Sequence, residues 1–329
     1  MDKVLITGVA GFAGSYVASR FLQEGYRVIG VDDLSGGNIE NIPAGVDFIQ
    51  GDLALTATIA RIPRDCRKIL HLAGQSSGEV SFDDPVADLE KNTISTLNLI
   101  RYGIENHVER IVYASSMSVY GEVDDVPINE NHHCYPLSCY GVGKHAAENY
   151  LRVHQDKLPS VSLRMFNVYG PGQDMSNLRQ GMVSIYLAQA LANGQIEVKG
   201  SIDRFRDFIY IDDVVEAWLR AATYSSALGH IFNVGTGVRT TVGELLEHIC
   251  ALVPDSSYYV QGATPGDQSG IYADVLKLEK YLNLDCFTPL HVGLRAFSDM
   301  AIKNFALSVH WFEFYVPNPR MPAIQHQVV

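Results

Sequence analysis

The stretch that most narrows what this chain can become is "KVLITGVAGFAG", residues 3 to 14. Gly8, Gly11 and Gly14 fall between an apolar β-rich run and the helical pattern "GFAGSYVASRFLQEG". Glycines at that junction let the backbone turn tightly and approach a pyrophosphate, while the N–H groups and dipole of the following helix attract its charge. A second apolar run, "YRVIGVDD", then ends at Asp32. That placement suits a carboxylate accepting hydrogen bonds from the adenosine ribose, and it repels a 2′-phosphate. NAD is therefore expected rather than NADP. Asp52 in "GDL" is placed to reach the adenine amine, and "HLAG", residues 71 to 74, offers backbone at the end of a further strand.

Beyond the glycine loop, short β-rich runs alternate with helical patterns. "DFIQGDL", "RKILHLAG", "RIVYASS" and "SVSLRMF" read as strands, and "PVADLEKNTISTLNLIRYGIENH" and "YGVGKHAAENYLRVHQ" as helices. The alternation predicts an α/β, Rossmann-like doubly wound parallel sheet with a smaller C-terminal substrate-binding lobe. The expected division is an NAD-binding domain over 1–168, rejoined by segments near 207–235, and a substrate-binding lobe over 169–304. A tail over 305–329 either packs on its own subunit or reaches a partner.

Composition removes several function classes. With 25 Lys and Arg against 37 Asp and Glu, the net charge is −12, which repels a phosphate backbone and argues against nucleic acid as a partner. The five cysteines are scattered with no C-x-x-C spacing, so neither a disulfide framework nor a metal site is expected. The charged start "MDK" and the lack of a long apolar run predict a cytoplasmic chain with no membrane partner.

The reacting groups are proposed from two further stretches. In "CYGVGK", Tyr140 and Lys144 stand four residues apart, on one face of a helix. A tyrosine of ordinary pKa near 10 is a poor base at neutral pH. A nearby ammonium and a positively charged nicotinamide would together have to lower it by roughly three units, about 4 kcal/mol. "SSMSVYG", residues 115 to 121, adds a shelf of hydroxyls directly after a strand.

Taken in order, "KVLITGVAGFAG", "GDL", "HLAG", "SSMSVYG", "YGVGK", "RMFNVYGPG", "RFRDFIYIDDV" and "PGDQSGIYAD" resemble the extended short-chain dehydrogenase/reductase superfamily. The resemblance is greatest to its nucleotide-sugar epimerase/dehydratase branch, typified by UDP-glucose 4-epimerase, and covers nearly everything before the tail. It implies that Gly8, Gly11, Phe12, Ala13 and Gly14 line the pyrophosphate of NAD, Asp32 and Asp33 the adenosine ribose, and Asp52 and Leu53 the adenine. Leu72, Ala73, Gly74, Asn92 and Phe166 would face the rest of the cofactor. Ser116 would bond the reacting hydroxyl, Tyr140 act as base and Lys144 hold the nicotinamide ribose, with Asn167 and Arg206 on the substrate diphosphate. A homodimer is implied by the same resemblance.

The shelf also discriminates among reactions. Related dehydratases carry an acidic pair after the catalytic hydroxyl and related decarboxylases a glutamate, but here those positions hold Met117 and Ser118, which cannot move protons in that way. Epimerisation through a transient keto sugar is what remains, with NAD regenerated in each cycle. The resemblance points to C4 of a UDP-hexose, although "HLAGQ", with Gln75, leaves C2 open. A nucleotide-sugar oxidoreductase and a catalytically idle NAD-binding protein are the alternatives. Lys199, where relatives stack an aromatic, and Thr264, where they carry an arginine, leave the nucleotide open. Ile271 falls near a position associated with sugar size. Cys139 replaces a frequent proline and reads as a small packed residue.

Overall fold

The computed structural model describes residues 2–262 and 269–307, the side chains of 304–307 excepted. Thr264 and most of the C-terminal tail lie outside the described residues. Seven parallel strands form the central sheet: β1 (Lys3–Thr7), β2 (Arg27–Asp32), β3 (Asp47–Gln50), β4 (Cys66–His71), β5 (Arg110–Ser116), β6 (Ser160–Met165) and an edge strand, Ile231–Val234. Their order across the sheet is Ile231–Val234, β6, β5, β4, β1, β2, β3. The chain winds outward from β1 to β3, then crosses back to β4 and winds the other way. The switch falls between β1 and β4, where the diverging connections open a crevice at the carboxyl ends of the strands.

Burial on both faces explains the near-continuous apolar strands. Helix α1 (Phe12–Gln23) and the helix Ile211–Thr223 cover one face, burying Phe21, Trp218 and Phe232 against Val4, Ile6 and Val112. The helices Ser95–Glu105 and Cys139–Val153 cover the other, burying Leu99, Tyr102 and Leu151 against Leu5, Ile29 and Ile111. Each large apolar side chain so buried contributes about 1.5–3 kcal/mol before conformational entropy is counted.

One expected helix is not continuous. Asp84 caps a short helix, Pro85–Leu89, by accepting from the backbone N–H groups of Val86 and Ala87. A π turn, Glu90–Ile94, follows, and regular α-helix resumes at Ser95–Glu105. The periodicity of the sequence carries no sign of this inserted residue, because apolar spacing tolerates one slip in a long amphipathic run.

Past the central sheet a separate core cluster brings Tyr186, Leu187, Ile196, Leu246 and Phe297 together. Short strand pairs lie outside the central sheet, among them Asn167–Tyr169 with Phe208–Tyr210 and Phe205–Arg206 with Thr240–Thr241. Residues 305–307, where the tail was expected to begin, continue the helix Leu290–Leu307.

Candidate active site

The glycine loop forms a cradle at the end of β1. Gly8 has φ +71°, a conformation that disfavours side chains, and a Cβ on Gly14 would overlap the Gly8 carbonyl. The Asp32 carboxylate braces this loop, accepting from the Ala10 N–H at 2.9 Å and the Leu34 N–H at 2.8 Å. Asp52 accepts from the Ala54 N–H, and Asn98 donates to the Leu53 and Ala54 carbonyls, which fixes the loop after β3. The π turn buries Asn92 completely. Its Nδ2 donates to Asp88 at 3.1 Å, while its Oδ1 has no partner among the described residues. Gly74 lies against that oxygen, and a Cβ there would stand 3.2 Å from Lys144 Nζ. The glycine turn at a helix start, the Asp32 carboxylate at the next strand end and the partnerless Asn92 amide oxygen fit a dinucleotide.

Ser116, Tyr140 and Lys144 meet at the neighbouring strand end. Ser138 caps the helix Cys139–Val153 by accepting from the Gly141 N–H, and the first turns of that helix carry Tyr140 and Lys144. Gly141 permits close approach to the shelf, since a Cβ there would meet the Ser118 carbonyl at 2.5 Å. Ser116 Oγ accepts from the Ser118 N–H and donates to Ser118 Oγ, both at 3.2 Å. Lys144 Nζ lies 5.1 Å from the centre of the Tyr113 ring and 5.7 Å from that of Tyr140.

The protein alone sets the electrostatic starting point. Burial raises the Tyr140 phenol to about 12; its hydrogen bond with Ser116 works downward and the Asp88 charge upward. Burial lowers Lys144 to about 8, against the pull of Asp88 and Glu148. Desolvation disfavours both charged forms.

A supporting layer lies beneath, and sequence reasoning missed it. His71, fully buried, joins the cofactor loop to the π turn. Ala73 N–H donates to Thr7 Oγ1 at 3.1 Å, Thr7 Oγ1 lies 2.8 Å from His71 Nδ1, His71 Nε2 lies 3.0 Å from Thr96 Oγ1, and Thr96 donates to the Asn92 carbonyl at 2.8 Å. Thr96 has one proton and gives it to Asn92, so it must accept from Nε2–H. Nδ1 then accepts from Thr7, and the imidazole is neutral. Burial first, and the Lys144 charge second, lower its pKa to about 3. Asp88, also buried, is raised to about 6. Under the shelf, Ser115 Oγ donates to Glu148 at 2.5 Å, and Tyr120 donates to Asn233 at 2.5 Å. The Tyr-x-x-x-Lys spacing continued by another four residues to Glu148 was the available signal.

At the substrate end, Asn167 Oδ1 is buried with no partner among the described residues. Arg206 is buried, and burial and the nearby Arg204 charge bring its pKa down to about 10. Phe166 packs with Val119, Tyr120 and Ile271 in a core cluster. Ile271 belongs to the same cluster and has no exposed surface. Lys199 is exposed, and its carbonyl accepts from Arg204.

This sheet, cradle and Ser–Tyr–Lys group define an NAD-dependent sugar-nucleotide enzyme of the extended short-chain dehydrogenase/reductase type. The chain belongs to the NAD-dependent epimerase/dehydratase family, whose sequence model matches residues 4–235. It is 36% identical over 262 residues to a UDP-glucose 4-epimerase of Mycolicibacterium smegmatis, covering 76% of this chain and 82% of that one. A UDP-glucose 4-epimerase of Thermotoga maritima, solved with UDP-glucose, superposes with a TM-score of 0.88 at 31% identity, covering 92% of this chain and 99% of that one. The Thermus thermophilus UDP-glucose 4-epimerase in complex with NAD gives 0.83 at 32%, covering 95% and 100%. Among the described residues, no helix is long and apolar enough to cross a membrane.

Proposed function

We propose that this protein is an NAD-dependent UDP-hexose 4-epimerase. The observation that carries the reading is the composition of the shelf: Ser116 and Tyr140 are brought together while Met117 and Ser118 supply no carboxyl group for elimination or decarboxylation. In this reading Gly8, Gly11, Phe12, Ala13 and Gly14 hold the cofactor pyrophosphate, and Asp32, Asp33, Asp52 and Leu53 hold its adenosine. Leu72, Ala73, Gly74, Asn92 and Phe166 border the remainder. Bound NAD supplies the hydride acceptor and, when oxidised, a positive ring charge.

Tyr140 takes the proton of the sugar hydroxyl, and Ser116 orients that hydroxyl through its own hydrogen bond. Lys144 holds the ribose and keeps positive charge beside the phenol. Asn167 and Arg206 bind the diphosphate, and their grip lets the keto sugar turn so that it is reduced on its opposite face. The relatives named above act on UDP-glucose by their descriptions, which supports a UDP-hexose and C4.

We also propose self-association as a homodimer. Val142, Tyr150 and Val153 form an exposed stripe on the helix Cys139–Val153, and Val86 and Leu89 are exposed on the adjacent short helix.

The test is incubation of the purified protein with NAD and a panel of UDP-, CDP-, GDP- and dTDP-sugars, followed by mass and NMR analysis. Interconversion of two 4-epimers of a UDP-hexose without net NADH is the expected result. Stoichiometric NADH would identify an oxidoreductase instead, and inversion at C2 a 2-epimerase.

A further inference from the structure

The ion pair between Lys91 and Asp33 occupies a place in the topology that an ordinary surface pair does not. Asp33 is the first residue after β2, and Lys91 lies in the π turn of the segment that follows β4. In the sheet β1 stands between β2 and β4. A bond joining the connections that leave β2 and β4 therefore crosses the end of β1, where the glycine cradle lies. Lys91 Nζ is 2.5 Å from Asp33 Oδ2 and 2.9 Å from Ser35 Oγ.

The anchor is well fixed. Asp33 also accepts from the Ser35 N–H at 2.9 Å and the Ser35 hydroxyl at 2.7 Å. Burial alone would raise its carboxyl, but the hydrogen bonds from Lys91 and Ser35 hold it below the usual carboxylate range. The two side chains are 29% and 26% exposed, so the pair is partly sheltered from solvent screening. Lys91 immediately precedes Asn92, whose unsatisfied amide oxygen faces Gly74, so one π turn supplies both the crossing lysine and a buried groove-lining group.

We propose that Lys91 and Asp33 form a strap over the dinucleotide groove that slows release of the bound cofactor, Lys91 acting as a retaining residue rather than a catalytic one. Retention has a use specific to the epimerase reading, on which this inference rests for its purpose. The reduced cofactor formed in the first half of the cycle must be the one that returns hydride in the second. A release faster than the turning of the keto sugar would strand both.

The strap is tested by the off-rate of NADH, measured from fluorescence after dilution into excess NAD, with no sugar present. Lys91→Ala is expected to raise the off-rate about fivefold, the scale of a partly sheltered ion pair. Lys91→Arg, which preserves the bridge, should stay near the parent, and Lys91→Met reports the loss of charge with the aliphatic stem kept. In the Asp33→Asn background, Lys91→Ala should add less than in the parent, because the charge pairing is already lost and only neutral acceptors, the amide and the Ser35 hydroxyl, remain. An unchanged off-rate in both Lys91→Ala and Lys91→Met overturns the strap. So does a full additional effect in the Asp33→Asn background, which would mean that Lys91 touches the cofactor directly. No sugar enters the measurement, so its outcome is separate from whether the protein proves to be an epimerase.

Discussion

Glu148 holds Arg164 with both carboxylate oxygens: Arg164 Nε donates to Oε1 at 2.9 Å and Nη2 to Oε2 at 2.7 Å, with each side chain 3% exposed. Glu148 is one turn beyond Lys144, and Arg164 is on β6, so the pair ties the helix bearing Tyr140 to the sheet. The Arg164 guanidinium also covers the Tyr120 ring at 4.7 Å, while Ser115 reaches the same Glu148 oxygen. Removing one partner leaves a buried charge uncompensated. Glu148→Ala is therefore expected to cost about 3–5 kcal/mol, and Glu148→Gln less because its amide oxygen can still accept. Chemical denaturation of the two variants checks the order.

Tyr140→Phe is expected to lower kcat by about 10²–10⁴-fold, the usual worth of a positioned proton-transfer group. The fold and the binding of NAD should remain. The checks are turnover with the substrate found in the panel and NAD titration of the variant. Turnover at the parent rate would remove Tyr140 from the mechanism.

His71 sets an expectation for acid stability. Its native pKa is about 3 against an ordinary 6.5, so between those values the unfolded chain binds a proton that the native chain does not. Stability from this group is thus lost as pH falls from 6.5 toward 3. Asp88 acts oppositely: raised to about 6 from 3.8, it keeps a proton in the native state over that window, so its contribution improves as pH falls through it. His71→Gln removes the first effect and leaves the second. Its melting temperature should fall less steeply than that of the parent between pH 6.5 and 4. Identical slopes would show that His71 is not held neutral.

Gly141 offers a test of geometry alone. A methyl group there must push the helix away from the Ser118 carbonyl, carrying Tyr140 with it. A displacement of about 1 Å at a reacting group can cost on the order of 100-fold in rate. Gly141→Ala is expected to lose activity on that scale while NADH affinity, measured by fluorescence, changes little.

What the sequence displayed was the chemistry that local backbone geometry demands. Gly8, Gly11 and Gly14 could be placed at a tight turn before a helix, and Asp32 at the next strand end, because local sequence alone demands those positions. Tyr140 and Lys144 could be read because four residues make one helical turn. The partnerships of His71 with Thr96 and of Glu148 with Arg164 were hidden, since they join segments whose proximity only the completed sheet creates. The raised pKa of Tyr140 was hidden for a related reason: burial is a property of the whole fold, whereas the neighbouring lysine is visible in the string. Ile271 shows the same gap, since its enclosure with Val119, Tyr120 and Phe166 is likewise a property of the whole fold.

The π turn at Glu90–Ile94 spends five residues on roughly the arc that four cover in an α-helix, where each residue advances about 100° around the axis. The extra residue is taken up inside the turn, so the helical stretches on either side keep their mutual orientation. Deleting one residue there would restore regular hydrogen bonding without rotating those flanks, and its whole effect would fall on the turn itself, which carries Lys91 and Asn92.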